Sequence, residues 1–306
     1  PLGALVFGAQ VRGGASATRS VLLGVLAGAL LSLAMETTQN FLPHRVATNV
    51  DLGLNVIGAA LGAALGALAH RLGAIERWQA ARDHWFIQRS AGGLALLLLW
   101  PLALLFPTAV PFGLGQVLAR LRDQVIQLLQ GTAAQAWTEG WRVAGPPAPL
   151  GPAGELALVV LGLLAPCLVA FTIARPGWRR VVLVLGALAL GCAATTLSIA
   201  LNFGPDHALA WVTPLGLQAI AIGTIAATLL SLVPRRVAAG FGLMALTAML
   251  MLVARAPADP YQAQSLQAWE QGRFIRFHGA VQWVGWIWPY ATLAYLLARL
   301  SARDDT

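Results

Sequence analysis

Two carboxylates and one arginine lie close together in a stretch of otherwise apolar sequence, residues 32–66. Eight residues of this stretch stand out by type: Glu36, Gln39, Pro43, Arg45, Asp51, Asn55, Gly58 and Gly62. Only 10% of the 306 residues are charged, so two acids and an arginine in one apolar stretch require a specific role. An ionisable group at the edge of a membrane is costly, and it marks either a structural pairing or a function.

The chemistry of these residues favours a binding site. An arginine holds a phosphate or a carboxylate through paired N–H bonds, so Arg45 is the candidate for binding an anionic group. The carboxylates of Glu36 and Asp51 can accept hydrogen bonds from hydroxyl or amine groups of the same ligand. Gln39 and Asn55 complete the predicted ligand-binding set, which is called the polar cluster below.

Two other interpretations of the polar cluster stay open. In a structural one, Arg45 pairs with Glu36 or Asp51, Asp51 caps the following helix, and Asn55 and Gln39 bond between helices. In a catalytic one, a carboxylate acts as a general base. Because the sequence has no nucleophilic serine motif, metal-ligand spacing or phosphate loop, it predicts no catalytic residue, no metal site and no cofactor.

Small residues recur at helical spacing on both sides of the cluster. The first face is Gly24, Gly28, Ser32 and Glu36, and the second is Asp51, Asn55, Gly58, Gly62 and Gly66. Residues four apart lie above one another on a helix, and small residues let two helices approach closely. The pattern predicts an antiparallel hairpin in which both faces pack together, with Pro43, Gly58 and Gly62 as structural positions.

The rest of the chain is apolar enough to be a membrane protein. It is 58% hydrophobic, and several apolar runs have the roughly 20 residues that a helix needs to cross a bilayer. The sequence predicts an all-α fold, a polytopic transmembrane helical bundle of about eight complete spans plus a partial N-terminal helix. The predicted spans are 20–41, 50–70, 91–107, 155–174, 181–203, 209–233, 237–255 and 280–299. The opening PLGALVFGAQVR reads as the end of a helix, so we expect an N-terminal truncation.

Arginines are concentrated in alternate loops. All 20 basic residues are arginines, and 13 of them lie before the first span or just after the second, fourth, sixth and eighth. Short arginine-rich loops stay in the cytoplasm, so the segment 42–49 is predicted to lie on the outer side. The net charge of +8 follows this loop pattern. The charge therefore does not indicate nucleic-acid binding. The apolar runs predict the lipid bilayer as a partner, and the oligomeric state stays open.

Composition also suggests a division of the chain. Residues 1–72 hold the predicted hairpin, residues 73–90 form a cytoplasmic connector, and residues 91–306 supply further spans. Two long outer loops, 108–154 and 256–279, are amphipathic. The first contains a predicted interfacial helix. The second mixes aromatic residues with arginines, which is typical of a membrane-interface belt; the alternative is a lid or a surface that grips a lipid head group.

Hydroxyl and amide side chains occur within two of the later spans. They are Thr195, Thr196, Ser198 and Asn202 in one and Thr224, Thr228 and Ser231 in the next. Such groups often bond to their own helix backbone. The alternative is that they line a substrate path.

The order of the residues in the first stretch resembles the signature of the VanZ-like membrane family, named for a teicoplanin-resistance protein. The pattern E-x2-Q-x3-P-x-R-x5-D-x3-N-x2-G-x3-G spans Glu36 to Gly62, and the similarity covers residues 1–70. The resemblance marks the same eight residues. It implies a multi-pass protein of the bacterial inner (cytoplasmic) membrane with a role at the cell envelope, and it implies no particular reaction.

Three functions follow from the residues and the resemblance together. The leading one is binding of a lipid-linked or anionic head group at the outer face, with an influence on glycopeptide resistance or envelope glycan assembly. Its expected partner is a lipid-linked envelope precursor. The second is transport of an envelope precursor or a small molecule. The third is an enzyme acting on a lipid carrier, which the lack of a catalytic motif makes the least favoured.

Overall fold

The computed structural model describes residues 2–39, 41, 49–106, 108, 110–141, 150–256 and 280–301. These residues form helices joined by turns, which confirms the predicted all-α fold. The chain divides into two compact units, residues 1–84 and residues 85–306.

The first unit is a small bundle around a long helical hairpin. Its helices are α1 (Leu2–Arg12), α2 (Ala17–Gln39), α3 (Asn49–Arg71) and the start of α4 (Ala74–Trp85). The apolar opening of the chain is helical, as predicted, and α1 packs against both α2 and α3. Glycines with positive φ, Gly14 and Gly73, lie in the turns before α2 and α4, where most other residues would be strained.

The second unit is built around one long, mostly apolar helix. Its helices are α5 (Ala91–Ala103), α6 (Val117–Leu129), a 3-10 helix (Ala133–Trp141), α7 (Pro152–Ile173), α8 (Trp178–Phe203), a 3-10 turn (Pro205–His207), α9 (Pro214–Leu230), α10 (Arg235–Val253) and α11 (Ala280–Ser301). Helix α7 packs against α5, α8, α9 and α10. Nearly every residue from Leu158 to Ile173 is buried, as expected for a helix that is hydrophobic all round.

The described residues between α5 and α6 are non-helical and mostly buried. The sequence predicts a span to residue 107 and an outer loop from residue 108, but α5 already ends at Ala103, two residues after Pro101. Phe112 and Leu114 are almost completely buried, so this part of the predicted loop belongs to the core. Phe112 contacts Trp100 and Trp211 through its ring. In a membrane protein, non-helical backbone is tolerated where other parts of the protein surround it.

Among the described residues, five helices are long and apolar enough to cross a membrane. They are α2, α3, α7, α8 and α10. Helices α1, α5 and α9 are apolar but shorter, and α11, although it has 22 residues, is not among the five. Helix α9 begins at Pro214, later than predicted, because Thr213 caps it by accepting a hydrogen bond from the Gly216 N–H at 3.0 Å. A multi-pass membrane protein is supported, but the count of eight complete spans is not confirmed.

The amphipathic segment after residue 116 is helical, as predicted. Helix α6 begins at Val117 and leaves Leu128 and Leu121 exposed. The following 3-10 helix exposes Trp137 and Trp141. Large exposed apolar side chains on an amphipathic segment are typical of a membrane interface. The proline-rich stretch 142–149 and most of the second predicted outer loop, 257–279, lie outside the described residues.

A buried arginine joins the ends of two helices in the second unit. Arg180 is only 2% exposed. Its guanidinium donates hydrogen bonds to the carbonyls of Phe171 (2.9 Å), Ser231 (3.0 Å) and Val233 (2.6 Å). The Phe171 carbonyl lies in the last turn of α7, and the Ser231 and Val233 carbonyls lie just after the end of α9. Carbonyls at helix C-termini lack backbone partners and attract cations. Arg299 adds a bond to the Thr172 carbonyl at 3.2 Å.

Candidate functional site

The α2–α3 hairpin has a fixed antiparallel register. A Cβ at Gly28 would collide with the Cβ of Ala59, and a Cβ at Gly24 would lie 3.3 Å from the Cβ of Ala63. One turn further along, the Asn55 amide donates to the Ser32 hydroxyl at 3.0 Å. From one pair to the next, the residue number rises by four on α2 (Gly24, Gly28, Ser32) and falls by four on α3 (Ala63, Ala59, Asn55). The two helices therefore approach as closely as glycine permits, and the register is set by direct contacts.

The predicted face on α2 is the one that the structure buries. Gly24, Gly28 and Ser32 are buried along one line of the helix, and Glu36 follows them at 9% exposure. Because α2 is otherwise covered with exposed leucines, this polar-ended line is its only buried one among the described residues. We call the line of contact between α2 and α3 the seam. On α2, Glu36 is the next residue of this line after Ser32.

The matching face on α3 lies one residue away from the prediction. Ala59 and Ala63 fill the seam at 5% and 0% exposure, whereas a Cβ at Gly58 would meet no atom within 4 Å. Gly66 is close to α1, since a Cβ there would lie 3.0 Å from the Phe7 ring. Alanine is small enough for the seam, so the glycine repeat on α3 did not identify the residues that face α2.

Helix α1 closes the other side of the seam. A Cβ at Gly3 would collide with the Ala59 carbonyl, and a Cβ at Gly24 would lie 2.9 Å from the Gly3 carbonyl. Phe7 is buried at 1% exposure and lies edge-on to His70, with ring centroids 6.3 Å apart. These contacts make α1, α2 and α3 a three-helix unit, and Glu36 and Asp51 follow Ser32 and Asn55 toward the end of its hairpin.

Three members of the polar cluster lie among the described residues. Glu36 is buried in the last turns of α2, and both Asp51 and Asn55 are exposed in the first turns of α3. Asp51 is the third residue of α3, where its carboxylate is favoured by the positive end of the helix dipole. Asn55 bonds across the hairpin as the structural interpretation expects, and its partner is Ser32.

The rest of the cluster falls outside the described part of the chain. Pro43 and Arg45 lie in residues 42–48, and the side chain of Gln39 is likewise not described. Gly62 lies in α3, half-buried. The binding role of all these residues stays a prediction. Among the described residues, no group of three or more His, Cys, Asp and Glu side chains could hold a metal ion.

The hydroxyl groups of the later spans have varied partners. Thr228 and Ser231 bond to carbonyls of their own helix, as the backbone-bonding interpretation expects. On α8, Ser198 instead donates to the Leu105 carbonyl at 2.8 Å, and Thr196 accepts from the Trp211 indole at 3.0 Å. These two bonds tie neighbouring chain segments to α8, a role that the spacing of the residues does not reveal.

The sequence model of the VanZ/LLP1 family matches residues 1–70. The matched segment contains α1, α2 and nearly all of α3, so it ends with the three-helix unit described above. Neither a curated protein nor a solved structure matches the chain. Residues 1–70 of this membrane protein therefore form a VanZ-like domain.

Proposed function

We propose that the VanZ-like domain binds a lipid-linked head group at the outer face of the bacterial inner membrane, and that it acts in this way at the cell envelope. The head group would carry an anionic group together with hydroxyl or amine donors. The observation that supports this most is the antiparallel register of α2 and α3, fixed by the bond between Asn55 and Ser32.

The register brings two carboxylates to one level. Glu36 is one turn beyond Ser32 on α2, and Asp51 is one turn before Asn55 on α3. Four residues of helix rise about 6 Å, so continuing the register by one turn aligns the two acids at the same end of the hairpin. Carboxylates that share a site favour hydrogen-bond donors and cations around them.

Arg45 supplies the complementary charge in this proposal. It is the one arginine in the sequence that connects α2 to α3, residues 40–48. A guanidinium at this end of the hairpin can hold a phosphate in a bidentate manner while the carboxylates accept bonds from sugar hydroxyls or an amine. Because the site would contain both a guanidinium and carboxylates, it would favour a head group with an anionic group and hydrogen-bond donors over a simple anion.

The outer surface of the hairpin suits a ligand with a hydrocarbon tail. Leu26 and Leu30 on α2 and Leu54, Leu61 and Leu65 on α3 are all more than half exposed. In a bilayer these side chains contact lipid, because both helices are long and apolar enough to span it. A lipid tail can therefore lie along the hairpin while its head group reaches the polar end.

The test is head-group binding by the full chain in nanodiscs of phosphatidylcholine. The probe is a radiolabelled polyprenyl diphosphate that carries an amino sugar, and free inorganic diphosphate serves as the tailless competitor. We expect saturable binding that Arg45→Gln weakens about 10- to 100-fold, since one charge-assisted hydrogen bond contributes about 1.5–3 kcal/mol. Glu36→Gln should weaken binding about tenfold by the same reasoning.

Arg12→Gln is the matched control. Arg12 is exposed at the end of α1, in the same unit, so the change removes one positive charge away from the polar cluster. Wild-type affinity in Arg12→Gln and reduced affinity in Arg45→Gln would support the site. Equal affinity in all variants would overturn it. Passage of the probe across a reconstituted vesicle would instead indicate the transporter alternative, and chemical conversion of the probe would indicate the enzyme.

A further inference from the structure

The second unit contains a cavity of ≈ 210 Å³ that the polar cluster does not involve. Its walls come from four places: the non-helical segment after α5, the first turns of α7, the second half of α8 and the chain just before and at the start of α9. Most of the lining is apolar, including Leu104, Val159, Ile199 and Phe203. Convergence of four segments on one apolar space with a few polar groups is the usual form of a ligand site.

Two polar groups of this cavity have no assigned role. Glu155, in the first turn of α7, supplies the only ionisable side chain among the described residues that line it, and the residue is exposed. Thr195 is 6% exposed, and its hydroxyl has no hydrogen-bond partner among the described residues. A buried hydroxyl without a partner is unfavourable by about 1–3 kcal/mol, so a ligand that bonds to Thr195 would recover that free energy.

The neighbouring polar groups are already engaged. Ser198 donates its hydroxyl hydrogen to the Leu105 carbonyl, and Asn202 donates to the Ser198 carbonyl at 2.7 Å. The Thr213 hydroxyl accepts the hydrogen bond that caps α9. These bonds hold the cavity walls in place and leave Thr195 and Glu155 as the groups available to a ligand.

An aromatic wall completes the site. Trp211 is 9% exposed, and its indole is held by the hydrogen bond to Thr196 and by edge-on contact with Phe112. Phe203 also lines the cavity. A cation near a tryptophan face is attracted by the ring, and the attraction is strongest where water is excluded.

We infer that this cavity binds a small organic cation, namely an ammonium group on a short apolar chain or ring. The Glu155 carboxylate pairs with the ammonium group at the mouth, the apolar body lies against Ile199 and Phe203, and the Thr195 hydroxyl can bond to a further polar group where the ligand carries one. The charge excludes anions, because a second negative group beside Glu155 would be repelled. The cavity is smaller than the ~300–1,000 Å³ of drug-sized sites, so it fits a compact molecule and excludes a whole lipid.

The experiment measures alkylammonium binding by isothermal titration to the full chain in phosphatidylcholine nanodiscs. The probe is n-hexylammonium, and the matched neutral and anionic probes are n-hexanol and hexanoate. We expect saturable binding of hexylammonium, at least tenfold weaker binding of hexanol, and no binding of hexanoate. Comparable affinity for hexanol and hexylammonium would overturn the inference, and so would no saturable binding of hexylammonium.

Three variants locate the binding. Glu155→Gln keeps the shape of the side chain and removes its charge, so hexylammonium affinity should fall about tenfold or more. Ile199→Trp fills the cavity and should abolish binding. Glu139→Gln is the control, because Glu139 is exposed in the 3-10 helix and does not line the cavity; it should bind like wild type. Wild-type affinity in Glu155→Gln would show that the cavity is not the cation site.

Discussion

At the scale of single residues, arginine has two roles in this protein that its sequence pattern does not separate. Its distribution in alternate loops predicts topology, and Arg180 belongs to that pattern. The structure shows that Arg180 is also buried and bonded to three carbonyls at the ends of α7 and α9. The sequence could not predict this, because carbonyl partners on two other helices leave no trace in residue type. The binding role of Glu36, Arg45 and Asp51, in contrast, is predicted from residue type alone and stays a prediction.

The Arg180 bonds make a prediction about stability. Arg180→Leu leaves several buried carbonyls without partners, at about 1–3 kcal/mol each, so thermal unfolding in detergent should occur at markedly lower temperature. Arg175→Leu removes one charge from the same loop at an exposed position and should unfold close to wild type. Equal melting temperatures for the two variants would show that the three bonds do not stabilise the second unit.

At the scale of elements, small residues predicted the hairpin but located only one of its faces. The α2 face from Gly24 to Glu36 is buried as its spacing indicates. On α3 the seam is made by Ala59 and Ala63, because alanine also permits close packing and the more conspicuous glycines lie beside it. Helix α1 adds contacts at Gly3, which no periodic pattern in the sequence predicts.

The hairpin seam gives a paired prediction. Gly28→Ala places a methyl group against Ala59, so one helix must shift, at a cost of about 1–3 kcal/mol. Gly58→Ala adds a methyl group where no atom lies within 4 Å and replaces a flexible residue in a helix, a gain of about 0.5–1 kcal/mol. The melting temperature should therefore fall in Gly28→Ala and rise in Gly58→Ala. A Gly58→Ala variant that is the less stable of the two would contradict the register.

The buried segment after α5 gives a second paired prediction. Gly162 on α7 makes room for Phe112, since a Cβ at position 162 would lie 2.6 Å from the Phe112 carbonyl oxygen. Gly162→Ala should force this segment outward and increase its cleavage by a soluble protease. Gly186→Ala, on α8, has no atom within 4 Å of the added methyl group and should resist cleavage like wild type. If Gly162→Ala resists equally well, Phe112 does not occupy the core as described.

At the scale of the whole molecule, the apolar composition predicted the fold class, while the number and length of the spans depended on details of tertiary packing. In the part of the chain that the structure describes, five helices have the length and hydropathy to cross a membrane. The span predicted from residue 91 is interrupted after Pro101 because its continuation is stabilised in the core of the second unit. Hydropathy cannot distinguish an apolar residue that faces lipid from one such as Phe112 that faces protein.

The predicted orientation can be measured on the intact chain. A reporter enzyme that is active only outside the cytoplasm, fused at residue 44, should be active, and the same reporter fused after Arg89 should be inactive. The reason is the excess of arginine in the short loops on the opposite side. Activity after Arg89 and none at residue 44 would reverse the orientation and place the polar cluster in the cytoplasm.

The central claim is that the hairpin end of the VanZ-like domain binds a lipid-linked head group. Its most direct measurement is photo-cross-linking of the full chain with a polyprenyl diphosphate amino sugar that carries a diazirine on the head group, followed by mass spectrometry of the labelled residues. We expect adducts concentrated in residues 36–55, reduced at least tenfold in Arg45→Gln and unchanged in Arg12→Gln. Adducts spread along the chain, or an equal yield in Arg45→Gln, would contradict the claim.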